Sequence, residues 1–182
     1  PMHAPPYHPR CTYNHGTHAP SAGRGSLVRE EEEVELVMAE LSAGDLASQA
    51  TVLEAVKKVI DANGGAASFS LGLISHIASL PAVIMPLDGF IELLPGVPVF
   101  VDGAHAPGQI PLNLRALRLH HARVAAAANV TTRTHTTGVV AAGGAVAYTG
   151  NLHKWSYTAK GSAFLWVAPE LYAFVCLFLW LV

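Results

Sequence analysis

The stretch PVFVDGAH, residues 98–105, decides the fold. Its first four residues form a short β-branched run typical of a buried strand, and the run leads directly into Asp102. The apolar run 69–77 predicts an earlier strand, and residues 86–94 between the two runs predict a helix. Alternation of strand, helix and strand predicts an α/β domain with a mostly parallel sheet and flanking helices. Ligands of such sheets bind beyond the carboxyl ends of the strands, where Asp102 and His105 stand.

The composition sets the class of protein. The chain has 182 residues, about the length of one domain, and 51% of them are apolar while 13% are charged, which excludes extended disorder driven by charge. The net charge of −2 leaves no basic excess and excludes nucleic acid as a partner. Because Cys11 and Cys176 lie near opposite ends and form no disulfide framework, we expect a reducing compartment, the cytoplasm.

Further segments carry periodic patterns. Residues 30–41, an acidic run followed by apolar positions, predict a helix that stops at Gly44. Residues 51–62 predict a second helix, and residues 163–167 predict another strand. Residues 117–147 are rich in Ala, Thr, Gly, Val and His. Their apolar positions follow neither a helical nor a strand period, so no secondary structure is assigned to them.

Both ends of the chain differ from its middle. Residues 1–25 are rich in His, Pro, Gly and Ser and predict a disordered segment. A metal site is the alternative there, but no ligand spacing fixes a geometry, so no metal is predicted from His3, His8, Cys11, His15 and His18. Residues 171–182 form an apolar run too short to cross a bilayer. We interpret this run as a buried segment of a truncated chain, with a membrane anchor as the alternative.

Three residues are candidates for chemistry in a chain with so few charged groups. Asp102 follows a strand, His105 stands three positions later, and Lys154 directly follows a histidine. Each also has an ordinary structural interpretation: a carboxylate that caps a turn, a satisfied interior histidine and a solvated surface amine. Spacing alone leaves both interpretations open.

Three longer strings resemble one protein family. They are ISHIASLPAVIMPL at residues 74–87, VFVDGAHAPGQIPLNL at 99–114, and YTGNLHKW with KGSAFLWVAPE between 148 and 170. In content and order they resemble the class V aminotransferase family of pyridoxal-phosphate enzymes of fold type I. Within that family they are most similar to the isopenicillin-N-epimerase-like and cysteine-lyase-like branch.

The resemblance implies roles for individual residues. Lys154 would form the Schiff base with pyridoxal 5'-phosphate and move a proton at the substrate. Asp102 would pair with the pyridine nitrogen, and His105 would reach the phenolic oxygen of the cofactor. Asn151 and His153 would contact the phosphate of the cofactor, and Ser79 would face its ring.

The resemblance also implies a reaction class and an organisation. An amino-acid substrate would undergo epimerisation, β-elimination of sulfur or transamination, and family members are homodimers. Residues 26–170 would be a partial large domain, interrupted by an insertion at 118–147, because Lys154 follows Asp102 by 52 positions, about twice the family's usual gap. The insertion is a surface excursion or translated non-coding sequence such as a retained intron. The alternative function is a non-catalytic fragment that keeps the motifs without binding the cofactor.

Overall fold

The computed structural model describes residues 13–15, 34–130, 132–133, 140–141 and 146–172. Short 3-10 helices precede α1 and β3 and follow β8. The strands and α-helices, in chain order, are β1 (Tyr13–His15), β2 (Val34–Leu36), α1 (Gln49–Ala62), β3 (Phe69–Ser75), α2 (Leu87–Leu93), β4 (Val99–Asp102), α3 (Leu114–Ala127), β5 (Thr132–Arg133), β6 (Val140–Ala141), β7 (Val146–Asn151) and β8 (Ala163–Val167).

The main sheet has the order β2-β1-β3-β4-β7-β8. Its three central strands β3, β4 and β7 are parallel, whereas β1, β2 and β8 pair antiparallel at the two edges. The crossovers through α2 and α3 run in the same direction along the sheet, so the usual right-handed connection places both helices on one face. The predicted α/β fold, with a parallel centre and flanking helices, is confirmed.

Helix α1 forms where the sequence predicts it. The Ser48 side chain accepts a hydrogen bond from the Thr51 amide, and the Thr51 side chain accepts one from the Ser48 amide, a capping box that satisfies two amides at the helix start. The buried stripe has the spacing of one helix face: Val52, Val56 and Ile60. The helix ends at Asn63 before Gly64, whose φ of 90° favours glycine.

The core lies between the sheet and its helices. Val99 and Val101 of β4 are fully buried on the helix side, whereas Phe100 and Asp102 alternate toward the other face and are half-buried. Phe90 and Ile91 of α2 are also fully buried in this core. Strand β4 therefore carries the apolar core on one face and presents the Asp102 carboxylate on the other.

One prediction from local pattern is wrong, and one unassigned segment has a regular structure. From residue 34 on, where the description of this segment begins, the helix predicted at 30–41 is not formed: Val34–Leu36 is strand β2, paired with Tyr13–His15, and 37–40 are not helical. Pairing between distant segments here overrides the local amphipathic pattern. The unassigned segment 117–147 begins instead within α3, where the Asn113 side chain caps the helix by accepting from the Ala116 amide.

Several predictions fall partly or wholly outside the described residues. Tyr13–His15, inside the segment predicted to be disordered, is strand β1. The remainder of 1–25, residues 131, 134–139 and 142–145 of the predicted insertion, and residues 173–182 lie outside the described residues. Within the described ranges, no helix is long and apolar enough to span a membrane. Those same ranges contain no group of three or more His, Cys, Asp or Glu side chains that could hold a metal ion.

Candidate functional site

The carboxyl ends of β3, β4 and β7 meet at one edge of the sheet. Ser75, Asp102 and Thr149 occupy matching register positions on the three strands. Backbone hydrogen bonds extend the pairing by one residue, from His76 N–H to the Asp102 carbonyl and from Gly103 N–H to the Thr149 carbonyl, both 2.8 Å. Asp102 is therefore held on both sides at the edge where α/β sheets bind ligands.

The Asp102 side chain has a fixed direction. Its Oδ1 accepts a hydrogen bond of 2.9 Å from the Ala104 amide, which ties the carboxylate to the turn after β4. Its charge reaches neighbouring groups, because it opposes the lowering of the His105 pKa and helps to raise the pKa of Tyr148. The carboxylate thus acts electrostatically on both sides of the strand end.

Lys154 and His105 are in direct contact at this edge. Lys154 lies in the turn that joins β7 to β8, and its Nζ is 2.9 Å from His105 Nε2. Burial lowers the pKa of His105, the positive charge of Lys154 lowers it further, and Asp102 opposes both. An ammonium group only donates, so His105 is a neutral imidazole that accepts at Nε2.

Gly108 brings these two side chains together. Its φ is 84°, and a Cβ there would lie 2.7 Å from the Trp155 carbonyl oxygen, closer than side chains approach. Only glycine therefore lets the loop that carries His105 pack against the turn that carries Lys154. Gly108 ends the string DGAHAPG, which is part of a family motif in the sequence. Only the fold shows why this position requires a glycine.

The other predicted site residues, His153, Asn151 and Ser79, lie on three different segments of the fold. His153 precedes Lys154 and is half-buried, with Nδ1 3.1 Å from the Ser162 carbonyl oxygen. Asn151 ends β7 opposite Ala163. Ser79 lies on the exposed loop between β3 and α2. The structure brings Asp102, His105 and Lys154 together, whereas no contact within the described ranges joins Ser79 to them.

Sequence reasoning missed a fourth and fifth residue beside this edge. His76 Nδ1 is 2.7 Å from the Tyr148 hydroxyl, on the helix side of the sheet. Burial lowers the pKa of His76 and raises that of Tyr148. Both residues stand inside the quoted family strings, yet 72 positions separate them, so no local pattern signals the contact.

A cavity of about 570 Å³ opens on the helix side of the sheet. His76 and Tyr148 form part of its wall, together with Asn113, His120 and Arg123 of the α3 region. Neither Asp102 nor Lys154 lines it. The cavity and the group around Lys154 are therefore two separate places, with the His76–Tyr148 pair between them.

The group around Lys154 contains an amine and a carboxylate that could hold pyridoxal phosphate. That cofactor needs an amine for its aldehyde, a carboxylate for its ring nitrogen and hydrogen-bond donors for its phosphate. Lys154 could supply the amine and Asp102 the carboxylate at one sheet edge, whereas the Nδ1 of His153 already contacts the Ser162 carbonyl oxygen and leaves only Nε2 for a ligand. Among the four lysines, Lys57 and Lys58 pair with carboxylates on α1, whereas Lys154 has a neutral imidazole as its partner.

Comparison with known proteins adds an independent similarity. No protein-family profile matches the chain. It is 29% identical over 124 residues to "Putative L-cysteine desulfhydrase 1" of Oryza sativa subsp. japonica, which covers 66% of this chain and 20% of the relative. It is 30% identical over 106 residues to "Putative L-cysteine desulfhydrase 2" of the same organism, covering 57% and 17%. It is 29% identical over 99 residues to "Probable L-cysteine desulfhydrase, chloroplastic" of Arabidopsis thaliana, covering 53% and 15%. The chain spans about a fifth, or less, of the length of these relatives.

Proposed function

We propose that this chain is part of a pyridoxal-phosphate-dependent lyase that releases sulfide from L-cysteine. The observation that carries the proposal is the hydrogen bond of 2.9 Å between Lys154 and His105, beside Asp102 at the carboxyl edge of the central strands. The names of the relatives support β-elimination of sulfur, rather than epimerisation or transamination, as the reaction.

Lys154 is the residue that would hold the cofactor covalently and move protons at the substrate. When bound, the cofactor supplies an electron sink for the pair released at the α-carbon. A lysine amine attacks an aldehyde only as the free base, so it needs a neighbour that takes its proton. His105 Nε2 lies 2.9 Å from Lys154 Nζ, so it would orient the amine and relay its proton to solvent; because the pKa of His105 is lowered, it would not retain that proton.

The remaining residues would bind and orient the cofactor. Asp102 would pair with the ring nitrogen, because its carboxylate is fixed by the Ala104 amide at the same edge. His153 and Asn151 would donate to the phosphate from the end of β7 and the turn after it. Ser79 would face the cofactor ring, and its position after β3 at this edge is what supports this role.

The same proposal includes an organisation for the whole protein. Residues 26–170 would form part of the large domain of a homodimer that takes an amino acid as its substrate. The cytoplasm is the proposed compartment, because two distant cysteines form no disulfide framework. The proposed insertion at 118–147 follows the start of helix α3, which lies between β4 and β7 in the chain.

Sulfide release tests the reaction directly. The purified chain is supplied with pyridoxal phosphate and L-cysteine, and sulfide, ammonia and pyruvate are measured. We expect equal amounts of the three products, because elimination of sulfide leaves an enamine that water converts to the other two. Lys154→Ala should abolish release, whereas the exposed Lys160→Ala should retain it. Cofactor-dependent racemisation or transamination without sulfide would contradict the lyase assignment.

A non-catalytic fragment is the second candidate. The observation that favours it is the cavity on the helix side of the sheet, which neither Asp102 nor Lys154 lines. Absence of both cofactor binding and turnover in the purified chain would support this candidate and would contradict the proposed lyase activity of the chain by itself.

A further inference from the structure

The pair formed by the half-buried His76 and the fully buried Tyr148 lies directly behind the strand end that carries Asp102. The two rings meet edge-on, at 87° with centroids 5.8 Å apart, and the hydrogen bond between them is 2.7 Å long. His76 immediately follows β3 and Tyr148 belongs to β7, the strands on either side of β4. Their hydrogen bond therefore crosses over β4.

The crossing point is Gly103, the residue after Asp102. A Cβ at Gly103 would overlap Cε1, Cζ and the hydroxyl oxygen of Tyr148, so the ring lies against the backbone there. The backbone bonds from His76 to Asp102 and from Gly103 to Thr149 run beside this contact. The peptide that joins Asp102 to Gly103 is thus held by side chains on one face and by backbone on both edges.

The Tyr148 hydroxyl is not needed for packing. Tyr148 is 0% exposed, and a phenylalanine would fill the same apolar space without a polar group to satisfy. A buried hydroxyl costs free energy unless it finds a partner, and here its partner is the histidine that follows strand β3. A hydrogen bond fixes the direction of two rings in a way that apolar contact does not.

We propose that His76 and Tyr148 are positioning residues that hold the Asp102 carboxylate in place relative to Lys154. The direction of the carboxylate depends on the backbone of 102–104, because Oδ1 is bonded to the Ala104 amide. The pair restrains this backbone at Gly103. The inference rests on the proposed function, in which Asp102 meets the ring nitrogen of the cofactor.

Amide hydrogen exchange of the cofactor-free chain tests the restraint. Tyr148→Phe and His76→Leu each remove the hydrogen bond, so exchange at Gly103 and Ala104 should become about tenfold faster, while α1 keeps its protection. His76→Asn should restore slow exchange, because its amide nitrogen replaces Nδ1. Tyr172→Phe, at a tyrosine that is 55% exposed, is the matched control. Unchanged exchange at both amides in Tyr148→Phe and His76→Leu would overturn the proposal.

The cofactor-loaded chain supplies the second measurement. With pyridoxal phosphate labelled with ¹⁵N in the ring, Tyr148→Phe should shift the nitrogen resonance toward that of the unprotonated ring, because Asp102 is displaced. His76→Asn should keep the wild-type resonance. A wild-type resonance in Tyr148→Phe would overturn the positioning role. If the wild-type chain binds no cofactor, the proposed function fails, whereas the exchange measurement still decides whether the pair restrains Asp102.

Discussion

The substitution Gly103→Ala tests the packing behind the candidate site most severely. The new methyl group would overlap three atoms of the Tyr148 ring, and that ring is fully buried, so it cannot swing into solvent. Overpacking of this kind costs about 1–3 kcal/mol, and loss of the His76–Tyr148 hydrogen bond adds about 1 kcal/mol. We therefore expect the free energy of unfolding to fall by about 3 kcal/mol.

Urea denaturation with a matched glycine measures this effect. Gly44 has helical dihedrals, φ −68° and ψ −39°, and the nearest atom to a new Cβ is Ser42 Oγ at 3.6 Å. Gly44→Ala should leave stability within about 0.5 kcal/mol or raise it slightly. In thermal melts, Gly103→Ala should lower Tm by about 6–12 °C. If both variants unfold at the wild-type midpoint, the close approach of Tyr148 to Gly103 does not exist.

Two further predictions concern the histidines and the loop at this edge. Burial lowers the pKa of His76 and of His105 below 6.5, so as pH falls below 6.5 the unfolded chain binds protons that the folded chain does not. Stability should therefore decrease toward acid in that window, and His76→Asn should reduce the slope in urea melts recorded across pH; an unchanged slope would contradict the burial of His76. Gly108→Ala should destabilise more than Gly161→Ala, by about 1–3 kcal/mol, since both have positive φ but only Gly108 faces the Trp155 carbonyl. Equal losses in the two variants would contradict the contact between the loop and the turn.

Local patterns predicted the elements that local interactions determine. Helix α1 has its own cap and its own apolar stripe, and β4 is a β-branched run that ends at Asp102, so both were predicted close to their observed bounds. Strand β8 was predicted at Ala163–Val167, as observed. In these segments, propensity, pattern and tertiary packing agree.

Distant contacts explain what the sequence did not reveal. Strand β2 pairs with Tyr13–His15, about twenty positions away, and this pairing replaces the predicted helix. The buried face of α3 contains His121, whose Nε2 donates to the Val97 carbonyl at 2.8 Å, so a polar residue interrupts the apolar stripe that would have signalled a helix. The His76–Tyr148 hydrogen bond joins residues 72 positions apart and has no local signature.

Reductive trapping tests the central claim most directly. The chain is incubated with pyridoxal phosphate, reduced with borohydride and digested, and the modified lysine is identified by mass spectrometry. Because Lys154 has a neutral imidazole partner while Lys57 and Lys58 pair with carboxylates, we predict that the label lies on Lys154 and that Lys154→Ala, but not Lys160→Ala, loses it. Label distributed equally over the four lysines, or unchanged in Lys154→Ala, would contradict a cofactor site at this edge of the sheet.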